Sequence, residues 1–381
     1  MAQNGCIRAK IASIFPKISL AGNLQNMKIL HICAGWEKWN GAANIARLIM
    51  SEQEREGHSV SFCSWASIRQ LRSADEVWIH CGWLPCLWWA ALWGRNVRWM
   101  PEACYDPIRR AYHGWKKTLV GPIERFCLRR AKTLVATCEA ERGWIQSYLG
   151  RRCPPIEVTD IKRFFKLQVT GNGEWGTEVG KQVRPIFPPE TTNHPLHFLY
   201  LGRRHPLKGL DYLISAIRQL APNFKCENDK TGQTYFIILP NEILGQTYNL
   251  NSDSTCSTCS TWLNKIEMKV VSNAFGYELE KVWNWCDVLV LPTLSDNFGL
   301  VIAEALERGK RVITTDGAPV WGPEECGNVE MLPITNSNNQ SESQIWKGYG
   351  GRLIYLKGYR DGSPADRIQL LKSAIENLCH S

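Results

Sequence analysis

The stretch 291–315, LPTLSDNFGLVIAEALERGKRVITT, holds the residues best placed to do chemistry. It reads as an apolar strand, a polar loop from Pro292, and a helix that begins near Gly299. A helix start presents unpaired backbone N–H groups and a positive dipole end, which suits phosphate. Gly299 has no side chain, so a ligand can approach its backbone closely. Asp296 sits in the loop, followed by Asn297 and Phe298, and Glu304 lies eight positions after Asp296 on an otherwise apolar helix. Burying a carboxylate alone is costly, so Glu304 needs a partner. A ribose diol and a core lysine would each satisfy it.

A second stretch, FLYLGRRHPLKGLDYLISAI (198–217), ends a strand at Gly202 and then supplies Arg203, Arg204 and Lys208 before a helix. Cations in such a loop can neutralise a diphosphate, arginine as a planar fork and lysine as a point charge. A solvated basic loop is the plainer reading. Both loops stand at carboxyl ends of strands in one α/β unit, where such sheets bind ligands.

The elements that would position these loops follow from periodicity. From Met27 short apolar strands alternate with helical stretches, the pattern of a parallel sheet wrapped by helices. Strands are expected near 28–33, 59–65, 76–81, 96–101 and 133–138, then 197–201, 235–239, 268–271, 288–291 and 311–315. Helices are expected near 43–56, 84–93, 113–132, 139–149, 210–220, 277–285, 299–308 and 364–378. Residues 166–195 are rich in Gly, Pro and Thr and lack periodicity, which marks a linker; 241–262 read as a polar insertion. The expected organisation is a flexible extension (1–26), an N-terminal Rossmann-like domain (27–165), the linker (166–195), a C-terminal Rossmann-like domain (196–360) and a C-terminal helix (361–381). A cleft would separate the two domains.

With 381 residues, 44% hydrophobic and 21% charged, the composition is that of two globular domains. The formal net charge of +9 points to acidic partners. The 15 cysteines are scattered, and Cys256 and Cys259 have no second pair to complete a zinc site. The first 26 residues carry no secretory-type apolar run, and Trp78 to Trp93 is short for a membrane span. A cytoplasmic protein is expected. Residues 95–152 contain 13 Lys/Arg and 5 Asp/Glu, a local net of +8. Within them 109–132 interleave Trp115, Leu119, Ile123 and Phe126 with basic residues. Such a helix suits an anionic membrane surface, or else packs its apolar face on the sheet. Nucleic acid is disfavoured, since no binding module accompanies the charge.

The two chemistry-bearing segments resemble the nucleotide-sugar domain of the family 4 glycosyltransferases, the "glycosyl transferases group 1", which have the GT-B fold of two Rossmann-like domains. The family pattern of Gly-Arg followed five residues later by Lys-Gly is met by Gly202-Arg203 and Lys208-Gly209. Its two carboxylates around a Phe-Gly are met by Asp296 and Glu304 around Phe298-Gly299, although the first is usually Glu. The resemblance implies that Arg203 and Lys208 hold a donor diphosphate and that Asp296 reaches the donor sugar. It further implies that Glu304 binds the ribose, and that Gly299 and Leu300 present amides beside Asn297 and Phe298.

Looser likeness covers the N-terminal half, from about residue 27. AGWEKWNGAANIARLI is similar to the family's first glycine loop, with Gly41 nearest the donor; Trp36 and Trp39 beside it could form a platform for an acceptor sugar. EVWIHCGWLP and RRAKTLVATCEAERGWIQSYLG are similar to later segments of that domain. Where many members have Pro-His-Gly, this chain has Pro101-Glu102-Ala103. Glu102 and His80 are acceptor-side candidates, and His80 reads equally as a packed core histidine. The resemblance implies a retaining, metal-independent transferase, of the kind that builds bacterial cell-envelope polysaccharide or lipopolysaccharide. The donor would be a nucleoside diphosphate sugar, with no other cofactor, and the acceptor a glycan or glycolipid. Two absences agree: there is no Asp-x-Asp, and no Gly-x-Gly-x-x-Gly after the first strand. An epimerase or hydrolase of the same fold and a catalytically degenerate sugar-nucleotide binder stand as alternatives.

Overall fold

The computed structural model describes residues 26–34, 41–82, 85–165, 196–220, 224–228, 234–238, 266–271, 276–326, 330–332, 344–349 and 352–380. The expected extension up to residue 25, the linker, the 241–262 insertion, Trp36, Trp39 and the Cys256/Cys259 pair lie outside them.

The N-terminal sheet comprises β1 (Lys28–Cys33), β2 (Ser59–Cys63), β3 (Glu76–His80), β4 (Val97–Met100), β5 (Thr133–Ala136) and β6 (Ile156–Val158). Their order is β2-β1-β3-β4-β5-β6, and every pair is parallel. β1 and β3 are buried almost throughout, as expected of strands covered on both faces. The covering helices are α1 (Gly41–Arg55), α2 (Ile68–Ser73), α3 (Pro85–Trp93), α4 (Pro107–His113), α5 (Trp115–Leu128) and α6 (Glu139–Leu149). α1 turns Ile45, Ile49 and Met50 inward, and Ser67 with Gln70 closes a capping box at the start of α2. The basic helix expected from 113 to 132 is interrupted. Gly114 takes φ +55, a conformation glycine adopts without strain, and there α4 ends and α5 begins in a new direction.

The C-terminal sheet comprises β7 (Leu196–Leu201), β8 (Phe224–Asn228), β9 (Thr234–Ile238), β10 (Ile266–Val271), β11 (Val288–Leu291), β12 (Arg311–Thr315), β13 (Glu330–Leu332), β14 (Gln344–Gly348) and β15 (Leu353–Lys357). The order is β13-β14-β15-β12-β11-β7-β10-β9-β8. From β15 to β10 the strands are parallel, while both flanks are antiparallel. The sequence pattern did not announce these flanks. Only five residues join β8 to β9, too few for the crossover that a parallel pair requires. The helices are α7 (Leu210–Leu220), α8 (Gly276–Trp285), α9 (Leu300–Glu307) and α10 (Pro364–His380). α10 returns to this domain, where Leu370, Leu371, Ile375 and Leu378 share one core with Leu213 and Ile217.

An apolar seam joins the two domains. Ile29, Met100 and Val135 belong to the same buried cluster as Leu291, Phe298 and Trp321. The Phe165 ring stacks on Phe298 across it at 5.6 Å.

Two loops of the C-terminal domain touch backbone to backbone. Gly209 (φ +68) lies so near the end of β11 that a Cβ there would stand 1.9 Å from the Pro292 carbonyl oxygen. Leu294 N donates to Leu207 O at 2.8 Å, and Thr293 Oγ1 donates to the same carbonyl at 3.0 Å. Gly209→Ala must therefore push the loops apart, at a cost of ~3 kcal/mol or more. Gly57→Ala is the reference: φ is +91 at the end of α1 but nothing lies within 4 Å, so only the positive-φ strain of about 1–2 kcal/mol is added. Urea midpoints should fall much further for Gly209→Ala, and equal falls would refute the close approach.

Candidate active site

The loop after β7 carries Arg203 in solvent and Lys208 in a 3-10 turn, Pro206–Lys208, that Gly209 closes. The loop after β11 carries Asp296. The contact just described sets these residues opposite each other, and Lys208 Nζ donates to Asp296 Oδ2 in an ion pair. Both side chains are largely buried, at 16% and 18% exposure, so Lys208 is not the solvated cation of the plainer sequence reading. The cause is the same approach: backbone packed on backbone leaves the lysine little access to water. Asp296 Oδ1 accepts from the Asn297 amide at 2.9 Å, and Asp296 N donates to Gly317 O at 2.7 Å. Burial alone would raise the Asp296 pKa, but Lys208, then Arg109 and the Asn297 amide outweigh it and hold the carboxyl below its ordinary value.

Gly299 takes φ +66 as the N-cap of α9, and the helix begins at Leu300 beside the Asp296 loop. The Phe298 ring is taken by the core, against Phe165 and Trp321, so only its backbone remains for a ligand. Asn297 is buried at the domain seam. Its Oδ1 lies 3.1 Å from the Thr137 hydroxyl, which is also 2.7 Å from Glu141 Oε2; the one hydroxyl proton serves one of them at a time. Glu304 is half-buried in α9, and burial raises its pKa. Among the described residues its carboxylate accepts no hydrogen bond, and no core lysine answers it. Gly41 is the exposed first residue of α1.

His80 and Glu102 meet, but under the surface. His80 is fully buried at the end of β3, and its Nδ1 faces Glu102 Oε1 at 3.4 Å. Sequence reasoning missed the rest of this line. His80 Nε2 is 3.0 Å from Nδ1 of His31 on β1, whose Nε2 is 2.7 Å from Gln53 Oε1. A histidine within the apolar run of β1 was the available signal. Burial lowers both histidines, His80 to about 3, so both rings are neutral, and burial raises Glu102 well above the ordinary carboxyl range. A neutral ring has one N–H, so donation runs one way along the line. His31 Nε2 donates to Gln53 and His80 Nε2 donates to His31 Nδ1, while His80 Nδ1 and Glu102 Oε1 face each other without a hydrogen bond. Glu102 and Ala103 both take positive φ, +57 and +56, and Glu141 Oε1 accepts from Ala103 N at 2.6 Å to hold the turn.

α4 closes the site from the N-terminal domain. Arg109 Nη2 donates to Ser295 O at 3.3 Å, and Arg360 Nη2 donates to Asp106 Oδ1 at 2.5 Å. Tyr112 packs on His205 at 4.9 Å. Elements of both domains thus converge on the loop that holds Asp296.

A family model described as "Glycosyl transferases group 1" matches residues 195–330, and one described as "Glycosyl transferase 4-like domain" matches residues 60–159. The chain belongs to the group 1 glycosyltransferases. It is an enzyme of the GT-B fold, with the two domains facing each other. Both loops of the donor side lie inside the first match, and the His80–Glu102 turn inside the second; β1 and Gly41 precede it. No curated protein matches the chain. Among solved structures it is similar to HepE of Anabaena, determined with UDP-glucose, at 14% identity over 93% of this chain and 91% of that one, TM-score 0.48. It is similar to a trehalose 6-phosphate synthase of Burkholderia multivorans at 10% identity over 93% and 91%, TM-score 0.49. Likeness to WaaG, a glycosyltransferase involved in lipopolysaccharide biosynthesis, is 11% over 91% and 90%, TM-score 0.47. At these scores the likenesses assign neither residues nor substrate.

The buried histidines set a pH dependence. A histidine whose folded pKa lies below its unfolded value of about 6.5 binds fewer protons when folded, so stability falls as pH drops below that value. The slope approaches about 1.4 kcal/mol per pH unit for each histidine. Glu102, raised by burial, acts in the opposite sense over the same range, so the comparison is between proteins: in urea unfolding of the glycosyltransferase between pH 7 and pH 5, His80→Gln should lose less stability with falling pH than the wild type, whatever it does to the stability at pH 7. An unchanged slope in the variant would show that His80 is not held neutral.

Proposed function

We propose that this glycosyltransferase is retaining and metal-independent, and that it moves a sugar from a nucleoside diphosphate to a hydroxyl of a cell-envelope glycan or lipid-linked acceptor. The observation that carries the donor half is the gathering of Arg203, Lys208 and the start of α9 on one edge of the C-terminal sheet. As the sugar–oxygen bond breaks, negative charge grows on the leaving diphosphate. Fixed cations and helix amides then bind the transition state more strongly than the ground state. No cofactor beyond the donor is needed for this. Glu304, whose carboxylate accepts no hydrogen bond among the described residues, suits a ribose diol. Asp296 has both oxygens engaged, one by the Asn297 amide and one by Lys208 of the facing loop, and its role in this reading is to hold Lys208 in place beside the donor.

A panel of UDP-, GDP- and ADP-sugars tested by thermal shift identifies the donor, since a ligand of the folded state raises the melting temperature. With that donor, Arg203→Ala should lower the transfer rate about a hundredfold, the usual loss for one such contact. Lys208→Ala should do the same and also cost stability, because it leaves Asp296 buried and unpaired, ~3 kcal/mol. Adding Asp296→Asn should restore the stability but not the rate. Full turnover in Arg203→Ala and in the double variant would place the donor elsewhere.

The acceptor half rests on α5. Leu119, Ile123 and Phe126 are 67%, 54% and 57% exposed, at helical spacing that puts them on one face. Of the two settings the sequence left open, that face is turned to solvent and away from the sheet. The basic residues of the 109–132 belt are partly occupied: Arg110 and Arg125 lie on the Tyr148 ring, and Arg129 donates to Leu149 O. The apolar stripe, with Arg130 beside Phe126, is what would enter the headgroup region of an anionic membrane on its cytoplasmic side, where a lipid-linked acceptor resides. No helix among the described residues is long and apolar enough to cross a membrane. Leu119→Ser, Ile123→Ser and Phe126→Ser together should cut binding to anionic vesicles at least about tenfold, since each side chain buries ~1.5 kcal/mol or more of apolar contact. The melting temperature should hold. Equal sedimentation of variant and wild type with the vesicles would end the membrane assignment.

A further inference from the structure

Arg109 belongs by sequence to the basic belt, but its guanidinium is not on the membrane-facing stripe. It spans the domain seam. Nη1 donates to Glu102 O at 3.4 Å in its own domain, and Nη2 donates to Ser295 O at 3.3 Å in the other. These are long bonds to neutral carbonyls, and they use two of five N–H donors. Among the described residues no carboxylate lies within ion-pair distance of it. Its charge is nonetheless felt across the seam by Lys208, Asp296 and His205. Three cations, Arg109, Arg203 and Lys208, thus converge on the loop that carries Asp296, while Glu102 and Glu141 of its own domain also feel the charge of Arg109. On the Asp296 side of the seam cations outnumber carboxylates, which suits a diphosphate.

α4 is built to bring Arg109 there. Asp106 caps the helix by accepting from Ile108 N at 3.0 Å and also receives Arg360 of the C-terminal domain. One turn later comes Arg109, and one turn beyond that Tyr112 meets His205 in the loop that carries Lys208. The same face of one short helix touches the Asp296 loop, the Lys208 loop and the segment after β15.

We propose that Arg109 is a donor-binding residue supplied by the N-terminal domain, which completes the diphosphate site of Arg203 and Lys208 and thereby couples donor binding to closure of the domains. The planar fork suits two phosphate oxygens at once, as a lysine would not. The proposal rests on the donor reading above, and the test separates the two.

Inorganic pyrophosphate is the probe, because it carries the diphosphate without a base or sugar, with orthophosphate for comparison. Titration calorimetry on the full chain should show Arg203→Ala and Arg109→Gln each weakening pyrophosphate about tenfold or more, the worth of a charge-assisted contact. Orthophosphate should be affected less. Arg109→Lys, which keeps the charge and fold but not the fork, should fall between Arg109→Gln and wild type. Arg360→Gln removes the neighbouring latch without touching the guanidinium, and should cost clearly less than Arg109→Gln. Loss in Arg203→Ala with none in Arg109→Gln overturns this proposal and leaves the donor reading standing. No loss in either overturns both. Equal losses in Arg360→Gln and Arg109→Gln also overturn it, because α4 would then act only by holding the domains together.

Discussion

The loop that ends in Lys208 can rest on the loop that leaves β11 only because position 209 has no side chain. Any Cβ there would fall inside the Pro292 carbonyl. The same packing recurs one layer on, where a Cβ at Gly317 would stand 2.0 Å from Thr293 O, and Asp296 N donates to Gly317 O. Three chain segments after three parallel strands are thus stacked backbone on backbone. This leaves Lys208 largely buried against Asp296, just before the start of α9. The chemistry at this edge follows from steric closeness before any charge is considered.

Charge is then divided unequally between the domains. The N-terminal sheet ends in His31, His80 and Glu102, three titratable groups in one buried line, and burial keeps all three neutral. A neutral line can still fix geometry. It ties β1, β3 and α1 together through hydrogen bonds, while the Glu102–Ala103 turn, in a left-handed backbone conformation that non-glycine residues otherwise avoid, is held by Glu141. The positive field at the seam comes from Arg109, Arg203 and Lys208. The buried histidines and Glu102 thus stay beneath the surface of one domain, while the cations gather at the seam between the two.

Much of this was legible because it is local. Apolar runs of strand length, a glycine before a helix, and Lys-Gly at a fixed distance from Gly-Arg are properties of short windows, and each window found its element. What sequence reasoning did not reach is set by distance along the chain. Asp106 and Arg360 are 254 positions apart, and Lys208 and Asp296 are 88 apart, so no periodicity links them. Arg109 was counted with its basic neighbours because a charge sum ignores direction, whereas the turn at Gly114 sends α4 to the seam and α5 to the surface. The antiparallel flanks were hidden because a strand pattern does not state which way its partner runs. The reading of Lys208 as solvated failed for a related reason: exposure of a loop depends on what packs on it.

The aspartate at 296, one methylene shorter than the glutamate usual in the family, has a physical consequence of its own. Its two oxygens are satisfied at close range, one by the following amide and one by Lys208. A buried lysine without such a partner would tend to lose its proton, since burial alone draws its pKa down. The short carboxylate opposes that and keeps the ammonium charged. It does so with one bond, and an ammonium has three donors. Lys208 can therefore meet a phosphate oxygen without releasing Asp296, and the desolvation of the pair, already largely incurred in the folded protein, is small when an anion arrives. A glutamate reaching past the lysine toward a ligand would leave that charge less firmly held. In this chain the residue secures the cation.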